Sequence, residues 1–174
     1  MSGMRDPEVR SGGEVDDISD QPTGSVPQDA HSGRTGTVLA LDFGERRMGV
    51  AVGELELKLA HPLETVHASS DRERLQSIER LVREWRPVAL VVGLPAYLDG
   101  SEHELSRRCR NFARRLRTRF GIDTFLTDER LTSHAASLAL ADAGVRGRRQ
   151  KDMLDQVAAQ QILEAYFAGC HEAA

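Results

Sequence analysis
Two carboxylates occupy positions where a folded chain ordinarily places carbon. Residues Thr37-Val-Leu-Ala-Leu-Asp-Phe43 form a short apolar run that reads as a buried strand. Strand side chains alternate between faces, so Asp42 shares a face with Val38 and Ala40. Near the other end of the chain, a helical spacing of ~100° per residue puts Asp155 on the face of Ala158, Ala159, Ile162 and Tyr166. Asp152 sits one turn earlier, close to that face. A carboxylate aimed at a core is costly unless it is paired or holds a cation. A third feature is Asp128-Glu129-Arg130, at the end of another strand-like run, where α/β sheets tend to carry ligands.

Each acid also suits an ordinary role. Asp42 fits the start of a turn near Gly44, Asp152 fits a helix N-terminus favoured by the dipole, and Asp128 fits a helix cap. Together, acids from two strand ends and a helix start are suited to converge on one cation site. Hard oxygen ligands select Mg²⁺ or Mn²⁺ over zinc. The six histidines (31, 61, 67, 103, 134 and 171) are scattered and read as non-ligands, and two cysteines make neither a zinc site nor a disulfide framework. There is no G-x-S-x-G elbow, no phosphate-binding P-loop and no G-x-G-x-x-G.

The elements that must position these acids follow from periodicity. After the strand at 37–43, Gly44 to Arg47 reads as a turn and Met48–Gly53 as the returning strand of a hairpin. A third strand falls within 59–67. Ser70 and Glu73 form a capping box for a helix with the stripe Leu75, Ile78, Leu81, Val82 and Trp85, ended by Pro87. A buried strand at 88–92 precedes Gly93-Leu-Pro95. Ser101 and Glu104 open a second helix, which runs to Phe120 and is stopped by Gly121. A fifth strand spans 122–127. Helices follow near 132–143 and 152–168, separated by a loop at 144–151. The order βββαβαβαα implies an antiparallel meander extended by parallel strands through helical crossovers.

Composition bounds the rest. The chain has 174 residues and a net charge of −4. All of that excess lies in residues 1–36, which hold seven acids, three arginines, six of the 15 glycines and no aromatic residue. Such a segment buries too little apolar surface to offset the entropy of ordering it, so 1–36 reads as a disordered leader and 37–170 as one domain. No stretch approaches the ~20 apolar residues of a membrane span and no secretory signal is visible, so a cytoplasmic location is expected. Cys109 falls in an apolar helix line and reads as an inert core thiol, whereas Cys170 reads as an exposed thiol near the end of the chain.

Four segments, Asp42-Phe-Gly-Glu-Arg-Arg-Met-Gly-Val-Ala51, Gly93-Leu-Pro95 with Asp99-Gly100, Asp128-Glu-Arg-Leu131 and Asp155-Gln-Val-Ala-Ala159, resemble the YqgF-like family. Its members are small bacterial RNase H-fold proteins described as Holliday-junction-resolvase-like or as pre-16S rRNA nucleases. The resemblance covers about residues 37–168, with all four segments in order. It implies an α/β, RNase H-like fold with a five-stranded mixed sheet, order 3-2-1-4-5, flanked by helices. It also implies that Asp42, Glu129 (rather than Asp128) and Asp155 are the catalytic, metal-binding acids. Two departures stand out. Tyr97 lies where the family often carries Asn. Asp152 is extra, and the Asp152-x-x-Asp155 pair resembles the last-helix acids of RuvC-type junction resolvases.

The activity implied is endonucleolytic hydrolysis of phosphodiesters, with two divalent ions ~3.5–4 Å apart held by Asp42, Glu129 and Asp155, with Asp152 as a further candidate ligand. The substrate implied is the 5′ end of precursor 16S rRNA, with a four-way DNA junction as the alternative, and the protein is expected as a monomer or homodimer. Arg46 and Arg47 in the turn, and Arg146, Arg148, Arg149 and Lys151 before Asp152, are the expected phosphate-backbone contacts. Seven arginines between Arg107 and Arg119 suit either a phosphate backbone or a solvated helix face, in a chain where 21 of 23 basic residues are Arg. Two other readings compete. One is a nucleic-acid-binding module without turnover. The other is an actin-like or sugar-kinase-like ATP-binding fold, for which about 138 ordered residues are too few to build two lobes.

Overall fold
A computed structural model describes residues 35–95, 104–128, 147–169 and 171–174. Among these residues, six strands and three helices are arranged as β1 (Thr37–Phe43), β2 (Arg47–Glu54), β3 (Leu59–His67), α1 (Asp71–Trp85), β4 (Ala89–Leu94), α2 (Glu104–Phe120), β5 (Asp123–Asp128), α3 (Arg148–Phe167) and β6 (Glu172–Ala173). The sheet order is β3-β2-β1-β4-β5-β6. β1, β2 and β3 are antiparallel neighbours, while β1, β4 and β5 run parallel, as expected of the RNase H-like fold. The five strands thus take the order 3-2-1-4-5, and β6 adds a two-residue antiparallel edge beside β5. Chain that the sequence reading left beyond residue 170 therefore belongs to the sheet.

Strand alternation divides the core in two. Leu39, Leu41, Phe43, Met48, Val50, Leu90 and Val92 face α1 and α2, where they meet Ile78, Leu81, Phe112 and Leu116. Val38, Ala40, Ala51, Ala89 and Val91 face α3, against Ala159, Ile162, Leu163 and Tyr166. Half of the expected capping box forms at α1: the Glu73 N–H donates to Ser70 Oγ at 3.3 Å, while the Glu73 carboxylate reaches one residue further back and accepts from the Ser69 N–H at 2.7 Å. Arg86, in the left-handed region at φ 44°, closes that helix ahead of Pro87.

One boundary differs from the sequence reading. α3 starts at Arg148, immediately after Gly147, and not at Asp152. A first turn of Arg148, Arg149 and Lys151 opposes the helix dipole, which is why those residues resemble a loop. Packing of the helix against β1, β2 and β3 outweighs that cost. Asp152 is consequently the fifth residue of α3, beyond the position of a simple N-terminal carboxylate. The helix expected near 132–143 and the Ser101 cap lie outside the described residues. No helix among the described residues is long and apolar enough to cross a membrane.

Candidate active site
The site is built on one row across the sheet. Asp42 on β1 lies opposite Gly49 on β2, and Gly49 lies opposite Thr65 on β3. Residues directly opposite in an antiparallel pair point to the same face, here the face under α3. Gly49 is the enabling residue: a Cβ there would overlap the carbonyl of Asp155. With no side chain between them, the backbone of α3 lies directly on β2, and Asp155 arrives beside Asp42. The same accommodation recurs along the strand, since Ala51 carries only a methyl group and Gly53 leaves room for Leu163 and Phe167. Thr65 fixes the register of the helix. Its hydroxyl donates to the Asp152 carbonyl at 2.7 Å and accepts from Gln156 Nε2 at 3.3 Å.

The electrostatics are unbalanced in one direction. Burial, and then the neighbouring Asp155 carboxylate, push Asp42 up to about 6, against the pull of Arg47. Burial also raises Asp155, opposed mainly by its hydrogen bond from Arg47. That bond runs from Arg47 Nε to Asp155 Oδ2 at 2.7 Å. Asp42 makes no side-chain hydrogen bond among the described residues. Two adjacent carboxylates short of cationic compensation form a hard-oxygen donor set that fits a divalent cation. No three His, Cys, Asp or Glu side chains form a ligand group among the described residues. Glu129, the expected third acid, follows the last residue of β5 and lies outside them. Asp152 is directed elsewhere: its Oδ1 lies 3.2 Å from His67 Nε2. His67 is the cross-strand neighbour of Arg47, so each α3 acid lies beside one of two adjacent basic residues, Asp155 hydrogen-bonded to Arg47 and Asp152 close to His67 with no hydrogen bond to its buried Oδ1.

The turn that carries Arg46 and Arg47 is anchored from the opposite face. Arg74 on α1 is 2% exposed, and its guanidinium donates to the carbonyls of Gly44 and Glu45 and to the Asp71 carboxylate, at 2.8–3.0 Å. It also stacks over Phe43, 4.7 Å from the ring centre. Sequence reasoning passed over this residue, although it sits four positions before Ile78 and seven before Leu81, on the buried stripe of α1. His67 and Thr65 were missed as well. A histidine and a threonine on an edge strand carry no signal until the position of α3 is known.

Of the expected nucleic-acid contacts, Arg46, Arg149 and Lys151 are exposed and Arg47 is half-buried. Arg148 opens α3, and Arg146 lies outside the described residues. The arginines of α2 are largely committed within the protein. Arg108 pairs with Glu45, Arg115 with Asp71 and Arg119 with Glu79, while Arg117 donates to the Ala174 carbonyl.

Comparison with known proteins places the chain in a family. The profile described as "RuvX: Holliday junction resolvase" matches residues 36–169. A protein of Nitrosospira multiformis named "Putative pre-16S rRNA nuclease" is 64% identical over 132 residues, covering 76% of this chain and 87% of its own. A protein of the same name from Nitrosomonas europaea is 53% identical over 145 residues, covering 83% of this chain and 98% of its own. A solved structure of T. thermophilus RuvC in complex with a Holliday junction substrate aligns with 80% of this chain and 99% of its own, at a TM-score of 0.49 and 17% identity. The profile match and the extent of identity to these relatives establish that the chain belongs to the RuvX family, the YqgF-like proteins that its four motifs resemble.

Proposed function
We propose that this protein is a metal-dependent endonuclease that processes the 5′ end of precursor 16S rRNA. The observation that carries the reading is the placement of Asp155 against Asp42 across Gly49, two carboxylates converging with one arginine between strand and helix. The names of the relatives support the substrate, and the site's chemistry supports the reaction class. Asp42 and Asp155 hold the cation site together with Glu129, and Asp152 braces α3 through His67. Two bound Mg²⁺ or Mn²⁺ ions supply Lewis acidity and charge neutralisation at the scissile phosphodiester. The chain's own part is to hold two carboxyl groups adjacent at a half-buried sheet end, and to present Arg46, Arg47, Arg149 and Lys151 to the flanking phosphates. A cytoplasmic location fits ribosomal RNA processing.

The family's description favours a second substrate, a four-way DNA junction. Both substrates present closely spaced phosphates to the same site. The deciding experiment is a cleavage assay with Mg²⁺ or Mn²⁺, offering a precursor-rRNA 5′ segment and a four-way junction side by side. Asp42→Asn serves as the inactive control. Cleavage of the RNA alone, abolished in the control, is the expected result. Junction cleavage alone would reassign the substrate. Binding without metal-dependent cleavage of either would reduce the protein to a nucleic-acid-binding module.

A further inference from the structure
We propose that Arg47 serves two partners in turn: in the metal-free protein its guanidinium holds Asp155 in place of a cation, and metal loading releases it to a substrate phosphate. This rests on the nuclease reading above and adds a regulated role for one residue of that site.

The argument begins with how little of Arg47 is used. Its Nε donates to Asp155 at 2.7 Å, and its terminal nitrogens make no hydrogen bond among the described residues. A guanidinium presents five N–H donors in a planar fork and favours two-point attachment to carboxylates and phosphates. Here it is attached at one point, with its side chain 35% exposed and that of Asp155 19% exposed. The outer edge of the fork is therefore free to meet solvent and substrate.

Backbone restraint confines the exchange to the side chain. Arg47 opens β2, and its carbonyl accepts from the Gly44 N–H at 3.0 Å. The Arg46 carbonyl accepts from the Ala68 N–H at 3.2 Å, and Arg74 holds the carbonyls of Gly44 and Glu45 from beneath. The turn stays in place while the guanidinium swings. Charge supplies the direction. Among the described residues Arg47 is the cation that lowers the cost of both Asp42 and Asp155, while His67 acts on Asp155 alone. A dication on those carboxylates removes the attraction and repels the guanidinium. The nearby Asp152 carboxylate is paired with His67, the cross-strand neighbour of Arg47. The scissile strand, which brings phosphates to the same sheet end, offers the guanidinium another anion.

The test is calorimetric titration of Mn²⁺ into the full chain as wild type, Arg47→Gln, Arg47→Lys and Asp42→Asn. It is paired with fluorescence anisotropy of a labelled precursor-rRNA 5′ segment in Ca²⁺ and in EDTA. Arg47→Gln is expected to bind Mn²⁺ about fivefold tighter than wild type, because no resident cation has to be displaced. Arg47→Lys, which keeps the charge, is expected to stay near wild type and shows that the fold tolerates the change. RNA binding by Arg47→Gln should weaken in Ca²⁺ and match wild type in EDTA. Unchanged or weaker Mn²⁺ binding by Arg47→Gln overturns the exchange while leaving the nuclease reading intact. Equal RNA loss in Ca²⁺ and EDTA does the same, since Arg47 would then grip phosphate in both states. Absence of any Asp42-dependent Mn²⁺ binding in the wild type overturns both.

Discussion

The two faces of the sheet each contain a buried charge, and the protein treats the two differently. Under α1 and α2, Arg74 is almost fully enclosed, yet two backbone carbonyls and the Asp71 carboxylate accept its protons and Phe43 lies against its plane. Under α3, Asp42 is half-buried with a second carboxylate beside it and no hydrogen bond among the described residues. The first arrangement commits both terminal nitrogens within the protein, leaving Nε alone without a hydrogen bond among the described residues, and serves structure. The second is left with uncompensated negative charge, the condition in which a site gains from binding a cation. The same division appears in side-chain size. Val50 and Leu41 fill one face, whereas Gly49, Ala51 and Gly53 empty the other so that a helix can carry acids onto the strand. Charge that is buried and unfinished marks the functional face better than the number of charges does.

The largest effect should come from filling the empty face. Gly49→Val would place its side chain in the backbone of α3 at Asp155. It is expected to cost about 3 kcal/mol in urea unfolding and to abolish Mn²⁺ binding, because Asp155 can no longer lie beside Asp42. Val50→Ala, one residue along and fully buried on the other face, should cost about 2 kcal/mol and leave Mn²⁺ binding in place. If both variants lose stability and both keep the metal, the small-residue stripe has a packing role alone.

The two buried charges should respond to pH in different ways. Asp42 has a folded pKa of about 6, above its ordinary value of 3.8, so the fold favours the protonated form. The contribution of Asp42 to the stability of the metal-free protein is therefore greatest below pH 4. It falls as pH rises from about 4 to about 6, by on the order of 2–3 kcal/mol, and is level above that as far as Asp42 is concerned. Asp42→Asn should remove this slope and leave the protein more stable than wild type at pH 8. Arg74→Met should instead cost about 2 kcal/mol at every pH in this window, since a guanidinium with three acceptors stays charged throughout. Chemical denaturation at pH 4, 6 and 8 distinguishes the two. A pH-dependent loss in Arg74→Met would mean that its carboxylate partner, not the turn, is what it stabilises.

How far these faces could be read from sequence depended on whether the signal was local. The alternation in β1 exposed Asp42 as misplaced, and helical spacing put Asp155 on the inward face of its helix; both positions hold in the structure. What brings the two together was not legible. Gly49 and Gly53 resemble any strand glycines until a helix is seen to lie across them, and Thr65 and His67 acquire roles only through contacts more than 80 residues away in sequence. The start of α3 was misread because its basic first turn contradicts the dipole rule, a local preference overridden by packing against the sheet. Arg74 was legible in principle, since an arginine on the apolar stripe of an amphipathic helix carries the same message as Asp42 in a strand. The role of Glu129 came from family resemblance, and its position lies outside the described residues.

The smallest effects should separate the two groups of arginines, which composition alone could not distinguish. On α2, Arg115 and Arg119 are tied to Asp71 and Glu79 of α1 at 2.6 and 2.9 Å. At the start of α3, Arg149 is exposed and forms no ion pair among the described residues. An exposed pair contributes little to stability, so Arg119→Gln should shift unfolding by no more than about 0.5 kcal/mol. It should also leave the salt dependence of RNA binding unchanged, because a guanidinium already neutralised by Glu79 releases no counterion from the nucleic acid. Arg149→Glu should weaken binding and reduce the slope of log K against log salt by about 1. Equal slopes for the two variants would show that RNA dissolves the α1–α2 ion pairs. The arginines of α2 would then be held in reserve for substrate, and pairing within the protein would no longer distinguish a structural arginine from a binding one.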